Sequence, residues 1–174
     1  VQHAPAGRAE GAGEGGEVMV EPTPRAPTLY LAGANTHALL PCVNGRHALE
    51  SFANITPVVE AYRPLWAGAL LDSGAFSEMT TGKRIDIGLY REFFSEHGRF
   101  YDAVASLDVI DGDWRKSVEN WREMPGTFPT WHEGEPYALL RDYLAEQRGG
   151  WMGIGMQRPG GRLVPGQCRK VLSE

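Results

Sequence analysis

Asp72 is the residue of this sequence whose surroundings most clearly allow chemistry. It ends an apolar run, residues 67–71, in the segment LLDSGAFS. A carboxylate at the end of a buried strand is costly unless it receives hydrogen bonds or meets a ligand. Gly74 permits a sharp turn that brings a ligand close to backbone N–H groups, and Phe76 offers a flat apolar wall. An aspartate that caps its own turn gives the same pattern, so both interpretations stay open.

Polar residues also follow two later apolar runs. Asp108 stands after residues 103–107, in SLDVIDGD, and His132 stands after residues 128–131, in PTWHEGE. Two carboxylates that face one pocket can divide acid and base roles, because their surroundings move their pKa values apart. His132 is a candidate for hydrogen bonding to a substrate, although a lone histidine is more often structural. No third ligand stands at a diagnostic spacing from this pair, so we predict no metal site.

A glycine-containing turn follows one more run, residues 151–154. Gly155 leaves room for a ring to lie against the backbone, and Met156 can pack on the face of that ring. A tight turn between strand and helix requires the same glycine. We therefore take Gly155 and Met156 as candidate binding residues with a structural alternative.

Five short apolar runs lack strict alternation, which is typical of strands buried on both faces of a parallel sheet. They are residues 28–32, 67–71, 103–107, 128–131 and 151–154. Helical patterns lie between them: from Thr56 and Pro57 through Tyr62, from the cap Asp86 to Gly98, after the cap Asp113, and from Pro136 to Gly149 and Gly150. The less regular stretch around Leu49 and Phe52 receives no assignment.

Strands that alternate with helices in this way predict parallel βαβ units and the α/β class. A dinucleotide-binding sheet carries a glycine-rich phosphate turn after its first strand, and residues 32–35, Ala-Gly-Ala-Asn, do not match it. Polar residues after several strands favour a (β/α)8 TIM barrel, because those strand ends meet at one mouth. A complete barrel needs about 250 residues. We therefore expect an incomplete barrel, about the first five βα units, in residues 28–174.

Composition restricts the remaining possibilities. Residues 1–27 are rich in Gly, Ala, Glu and Pro, and we expect a disordered tail because they can bury little apolar surface. The formal charge of -5 gives no global basic field, although basic residues gather in residues 148–174. Cys42 and Cys168 form no disulfide framework or zinc motif. Without a membrane-length apolar run or a signal peptide, we expect a soluble intracellular protein.

The order of these segments resembles that of a known family. LLDSGAFS, IDIGLYREFF, YDAVASLDVIDGD, ENWREM, FPTWHEGE and WMGIGM, over roughly residues 28–160, resemble the queuine tRNA-ribosyltransferase-like proteins of phages and bacteria. These proteins are relatives of the tRNA-guanine transglycosylases, which act in 7-deazaguanine modification, and some phage members modify DNA. DSGAF is the most specific element of the resemblance, and the shared order of the other segments adds weight.

The resemblance implies a role for most of the candidate residues. Asp72 would transfer a proton or position the base beside the scission centre, with Ser73 and Phe76 lining the pocket. Asp108 would recognise the edge of a purine-like base. The tRNA enzymes usually carry Gln near the position of His132, so the resemblance gives that residue no firm role.

The turn after the fifth strand, with Gly155 and Met156, would contact the base in the same family. The implied activity is exchange of guanine in tRNA or DNA for a 7-deazaguanine base, through an aspartate nucleophile that attacks the anomeric carbon of the sugar. In the family that nucleophile lies on a later strand, and a Cys/His zinc site lies further downstream. Neither has a counterpart in this sequence, so we expect no cofactor in this chain.

Two other functions stay open at this point. Asp72 and Asp108 could serve a glycosidic-bond hydrolase, with water as the acceptor instead of an incoming base. A truncated barrel could also bind a nucleobase or nucleic acid without catalysis. For all three functions we expect a cytoplasmic protein, or one of the host cytoplasm if a phage encodes it, and no membrane partner; the oligomeric state is not predicted.

Overall fold

The computed structural model describes residues 28–110, 113–147 and 150–155 of the chain. This part is a mixed α/β fold whose six strands all pair in parallel. The strands are β1 Tyr30–Ala32, β2 His47–Ser51, β3 Gly68–Asp72, β4 Ala103–Val104, β5 Thr130–His132 and β6 Gly153–Gly155. The first four form one sheet in chain order, and the last two form a pair.

A single bridge joins the four-stranded sheet to the pair. Ala105, just after β4, pairs in parallel with Phe128, just before β5. The Ser106 N–H donates to the carbonyl of Phe128 at 2.8 Å, and the Phe128 N–H donates to the carbonyl of Val104 at 2.9 Å. The six strands therefore follow one another across the structure in the order of the sequence.

Five helices lie between the strands, and most begin where the sequence predicts. They are α1 Pro57–Tyr62, α2 Ala75–Thr81, α3 Ile87–His97, α4 Trp114–Arg122 and α5 Tyr137–Gln147. The Thr56 hydroxyl accepts the N–H of Val59 at 3.4 Å, and Asp86 accepts the N–H of Leu89 at 3.0 Å. Such caps satisfy N–H groups that the first helical turn leaves without partners. Both capped starts confirm the prediction.

The prediction of five strands was wrong, because β2 makes a sixth. In β2 the buried residues Ala48 and Glu50 alternate with partly exposed ones. Because the buried position 50 carries a glutamate, the sequence of this strand does not show the apolar pattern expected of a buried strand. Glu50 is tolerated there because Arg63 donates to both of its carboxylate oxygens, at 2.8 and 2.9 Å, and the Tyr101 hydroxyl donates at 2.6 Å.

Helix α2 was also missing from the prediction, since only a turn was assigned after Asp72. Gly74 immediately precedes α2 with φ +85, a left-handed conformation that glycine adopts without strain. A Cβ at Gly74 would lie 2.7 Å from the Cβ of Ala53. The glycine is therefore required both by the backbone angle and by the lack of space, and it directs the chain from β3 into α2.

The core lies between the strands and the helices. Leu71 and Val104 project from β3 and β4 into a buried cluster that includes Tyr90 of α3 and Met124. A second buried cluster joins Trp131 of β5 to three residues of α5: Leu139, Leu140 and Tyr143. One face of these strands is thus covered by helices.

The row of six strands is curved, as a contact between its first and last strands shows. The rings of Tyr30, in β1, and Trp151, just before β6, have centroids 5.8 Å apart. In a flat sheet of six strands, the outer strands would be separated by about 24 Å, five times the usual spacing. The amino-terminal ends of the first and last described strands are therefore close together.

Several predictions lie outside the described residues. They concern the tail of residues 1–27, the helix stop at Gly149, Met156, Cys168 and most of the basic segment 148–174. Cys42 is a free and exposed thiol. In the described part of the chain, no helix is long and apolar enough to cross a membrane.

Leu71 tests the importance of the buried face of β3. Its side chain is fully buried, so Leu71→Ala should lower the free energy of unfolding by about 2–5 kcal/mol through lost burial and the remaining cavity. Leu89→Ala is the matched control, because Leu89 is 60% exposed and should change stability by only about 0.5 kcal/mol. Urea denaturation followed by tryptophan fluorescence measures both. Equal losses in the two variants would contradict this packing.

Candidate functional site

Three of the predicted site residues meet at the carboxyl ends of the central strands. Asp72 ends β3, Asp108 lies in the segment after β4, and His132 ends β5. The Nε2 atom of His132 lies 2.7 Å from Oδ2 of Asp108. Asp72 is close enough to Asp108 that the charge of one carboxylate affects the pKa of the other. The predicted convergence of polar strand ends is therefore present in the structure.

Asp108 is the centre of this arrangement. The hydroxyl of Ser73 donates to its Oδ1 at 2.8 Å, and His132 contacts its Oδ2. Asp108 is only 9% exposed. Burial raises the pKa of Asp108, while the hydrogen bond from Ser73 and the proximity of His132 oppose that rise. The carboxylate is thus held in one orientation by a partner on each oxygen.

Ser73 is a buried residue that supports Asp108. Its side chain is fully buried, and its hydroxyl oxygen also accepts the N–H of Ala75 at 3.3 Å. Both contacts use the hydroxyl within the protein. Ser73 therefore orients Asp108 and the start of α2, which differs from the pocket-lining role that the resemblance implies.

Asp72 is held less tightly than Asp108. The Gly74 N–H donates to its Oδ2 at 2.9 Å, which is the turn-capping bond that the sequence left as an alternative. Ser51 lies opposite Asp72 in the register of β2 and β3; its buried hydroxyl is near enough to favour the ionised carboxylate but outside hydrogen-bond geometry. Burial and the charge of Asp108 nevertheless raise the pKa of Asp72. Asp72 can therefore keep a proton at a higher pH than an ordinary aspartate.

Two features fix the position of the His132 imidazole: hydrogen bonds of the His132 backbone and the lack of a side chain at Gly155. The His132 N–H donates to Oε2 of Glu135 at 3.0 Å, and the Glu135 N–H donates back to the carbonyl of His132 at 3.0 Å. Gly155 pairs with His132 in the register of β5 and β6, and a Cβ there would lie 2.6 Å from Nδ1 of the imidazole. Only a residue without a side chain leaves the ring in this position.

Glu135 is a residue of the site that the sequence did not reveal. Burial raises the pKa of its carboxyl, and the N–H of His132 opposes the rise. Gly134, with φ +101, turns the chain so that Glu135 reaches back to β5. A glycine two residues before a predicted helix was the available signal, but a turn of this kind does not by itself show which carboxylate folds back.

Phe76 lies in the first turn of α2, two residues after Gly74. Its side chain is 47% exposed, unusual for a large aromatic residue next to a buried core. Met156, the remaining predicted contact, lies outside the described residues.

The geometry of the described residues is the whole basis for the site, without a metal cluster among them or a similar protein to compare. Within residues 28–110, 113–147 and 150–155, no three His, Cys, Asp or Glu residues are grouped so that they could hold a metal ion. No family model matches the sequence, and no curated protein or solved structure is significantly similar to it.

The raised pKa of Asp72 predicts how stability depends on pH. Since the pKa is higher in the folded protein, the folded form binds more protons than the unfolded chain, and stability falls as pH rises above about 4, the usual pKa of aspartate. Asp72→Asn cannot ionise and should reduce this fall. At pH well above the folded pKa we expect Asp72→Asn to have a higher Tm than the unmodified protein.

Thermal unfolding between acid and mildly alkaline pH measures this effect, with Asp142→Asn as the control because Asp142 is exposed on α5. The control should follow the unmodified protein at every pH. A Tm for Asp72→Asn that is lower than that of the unmodified protein at alkaline pH would contradict the assigned direction.

Proposed function

We propose that this chain supplies the base-binding part of a transglycosylase-like enzyme, which replaces guanine in tRNA or DNA by a 7-deazaguanine base. One observation carries the proposal. A buried carboxylate with a raised pKa, Asp72, lies beside the fixed pair of Asp108 and His132 at the shared end of parallel strands. The resemblance assigns base positioning or proton transfer to Asp72 and recognition of the base edge to Asp108, and His132 adds a contact that it does not assign.

The strand order supports a barrel of the (β/α)8 type. Doubly wound sheets reverse their strand order at a switch point, whereas a barrel adds each strand beside the previous one. The described strands are all parallel, follow the sequence order, and curve until Tyr30 meets Trp151. We infer that these six strands belong to a barrel whose carboxyl-end mouth contains the site.

Guanine offers groups that match those of the site. Its 2-amino group is a donor, and carboxylates accept such donors strongly. In the proposed complex Asp72 accepts from the base, while Asp108 keeps the imidazole of His132 in place for a second contact. Phe76 is exposed and can stack on the flat ring, an interaction worth about 1–3 kcal/mol per base.

Asp72 also suits the departure of the base. When the bond between guanine and the sugar breaks, the electron pair goes to the base, which then needs a proton. Because its pKa is raised, Asp72 exchanges readily between the carboxylate that binds the base and the carboxyl group that can deliver this proton, and such acid catalysis contributes about 10²–10⁴-fold to a rate. Attack on the sugar is a separate task, for which we assign none of the described residues.

Equilibrium binding of free guanine and 7-deazaguanine tests the proposal. We expect the chain to bind both bases, and Asp72→Asn to weaken binding by about tenfold or more because it removes a charged acceptor. Asp142→Asn should bind as the unmodified protein does. Isothermal titration calorimetry gives the dissociation constants; absence of binding by the unmodified chain, or unchanged binding in Asp72→Asn, would refute the proposal.

The raised pKa values also favour a second function, the glycosidic-bond hydrolase. Burial raises the pKa of Asp72 and of Asp108, and the charge of Asp108 raises that of Asp72 further. Asp72 can then be protonated while Asp108 is ionised, which is the arrangement of hydrolytic acid–base pairs. The two enzymes differ in the acceptor. With an oligonucleotide as substrate, a hydrolase releases guanine when no replacement base is present, whereas the proposed enzyme incorporates labelled guanine. We expect incorporation in the complete enzyme and no release; release alone would favour the hydrolase.

A further inference from the structure

A cavity of about 350 Å³ adjoins the candidate site and shares Asp108 with it. It lies between α2, the residues before α3, the segment after β4, and α4. Its walls combine apolar side chains with two cations and two carboxylates. The apolar residues include Ile85 and Ile110, and the charged ones are Arg84, Lys116, Glu78 and Asp108. A volume of this size is typical of sites for small ligands.

The two cations have weak partners or none. Arg84 is exposed and makes no ion pair with any described residue. Lys116 pairs with Glu119 at 3.1 Å, but both side chains are more than half exposed, and exposed pairs contribute little. Both charges are therefore available to an anion at the rim of the cavity.

Hydrogen bonds anchor the backbone segments around these two cations. Glu78 of α2 also lines the cavity, and its carboxylate accepts the N–H of Ile85 at 2.9 Å, which ties the residue after Arg84 to α2. Lys116 lies in the first turn of α4, which contains no acidic residue. The N-cap residue of α4 is Asp113, whose carboxylate offsets the positive end of the helix dipole, so the charge of Lys116 itself is what an anion would meet. The segment after β4 is attached to the same helix, since the Val109 N–H donates to the hydroxyl of Ser117 at 2.8 Å.

We propose that this cavity binds the nucleotide next to the one whose base occupies the site. Arg84 and Lys116 contact its phosphate, and Ile85 and Ile110 contact its sugar or base. This inference rests on the proposed function, since it needs a nucleotide chain that places its target base beside Asp108. It adds a reason for the enzyme to prefer a base within a nucleic acid over a free nucleoside.

The salt dependence of oligonucleotide binding tests the inference. The probes are fluorescein-labelled single strands of DNA and RNA with one guanine, titrated with the full chain and followed by fluorescence anisotropy. Each phosphate contact contributes about 0.7 to the slope of log affinity against log salt for a single strand. Since Arg84 and Lys116 share one phosphate, replacing both with Gln should lower that slope by about 0.7. Arg84→Gln and Lys116→Gln should each lower it in part and weaken binding at low salt about three- to tenfold.

Arg141→Gln is the matched control, because Arg141 is exposed on α5 and does not line the cavity. It should keep the slope of the unmodified protein. All three variants should bind free guanine with unchanged affinity and keep the unmodified Tm. The stronger of the DNA and RNA curves identifies the preferred sugar, and either preference agrees with a phosphate contact.

The two proposals fail in different ways. If the unmodified chain does not bind free guanine, the proposed function is wrong. If it binds guanine but Arg84→Gln and Lys116→Gln keep the full salt slope, or if it binds no oligonucleotide, the inference about the cavity is overturned while the base site stands. A slope that falls equally in Arg141→Gln would show a diffuse charge effect and would also overturn it.

Discussion

The hydrogen-bonded carboxylate of Asp108 is the interaction on which the arrangement of the site depends. It joins Ser73, which follows β3, to His132, which ends β5. Apart from the Ala105–Phe128 bridge, the strands of these two residues belong to separately paired sheets. A buried carboxylate loses its hydration and persists only with good partners, so the requirement that Asp108 be satisfied from both sides fixes the distance between the sheets at this end.

Much of this end of the structure follows from simple sequence features. A polar residue directly after an apolar run must leave the core as the strand ends, and parallel strands end at the same edge. That reasoning was sufficient to bring Asp72, Asp108 and His132 together. The helix caps Thr56 and Asp86 were equally predictable, because a capping side chain acts on the backbone three residues away and depends on nothing distant.

The parts that could not be predicted depend on contacts between distant residues. Glu50 makes β2 look polar, and only Arg63 and Tyr101, far along the chain, explain how it can be buried. From the sequence, Ser73 looks like a residue that lines a pocket. In the folded protein its hydroxyl donates to Asp108 instead. Residue spacing identifies the partners of a side chain only when they are local; the choice between partners on different strands is made by the folded geometry.

The contact between Tyr30 and Trp151 has a consequence for the order of folding. It joins the first and last described strands, so nearly the whole described chain must be looped to form it. Closing so long a loop costs entropy before any burial compensates for it. The neighbouring pairs of strands and their helices, which lie close in sequence, are therefore expected to assemble first. The curvature that brings the amino-terminal ends together would then be completed late, after the residues at the carboxyl ends of the strands have found their partners.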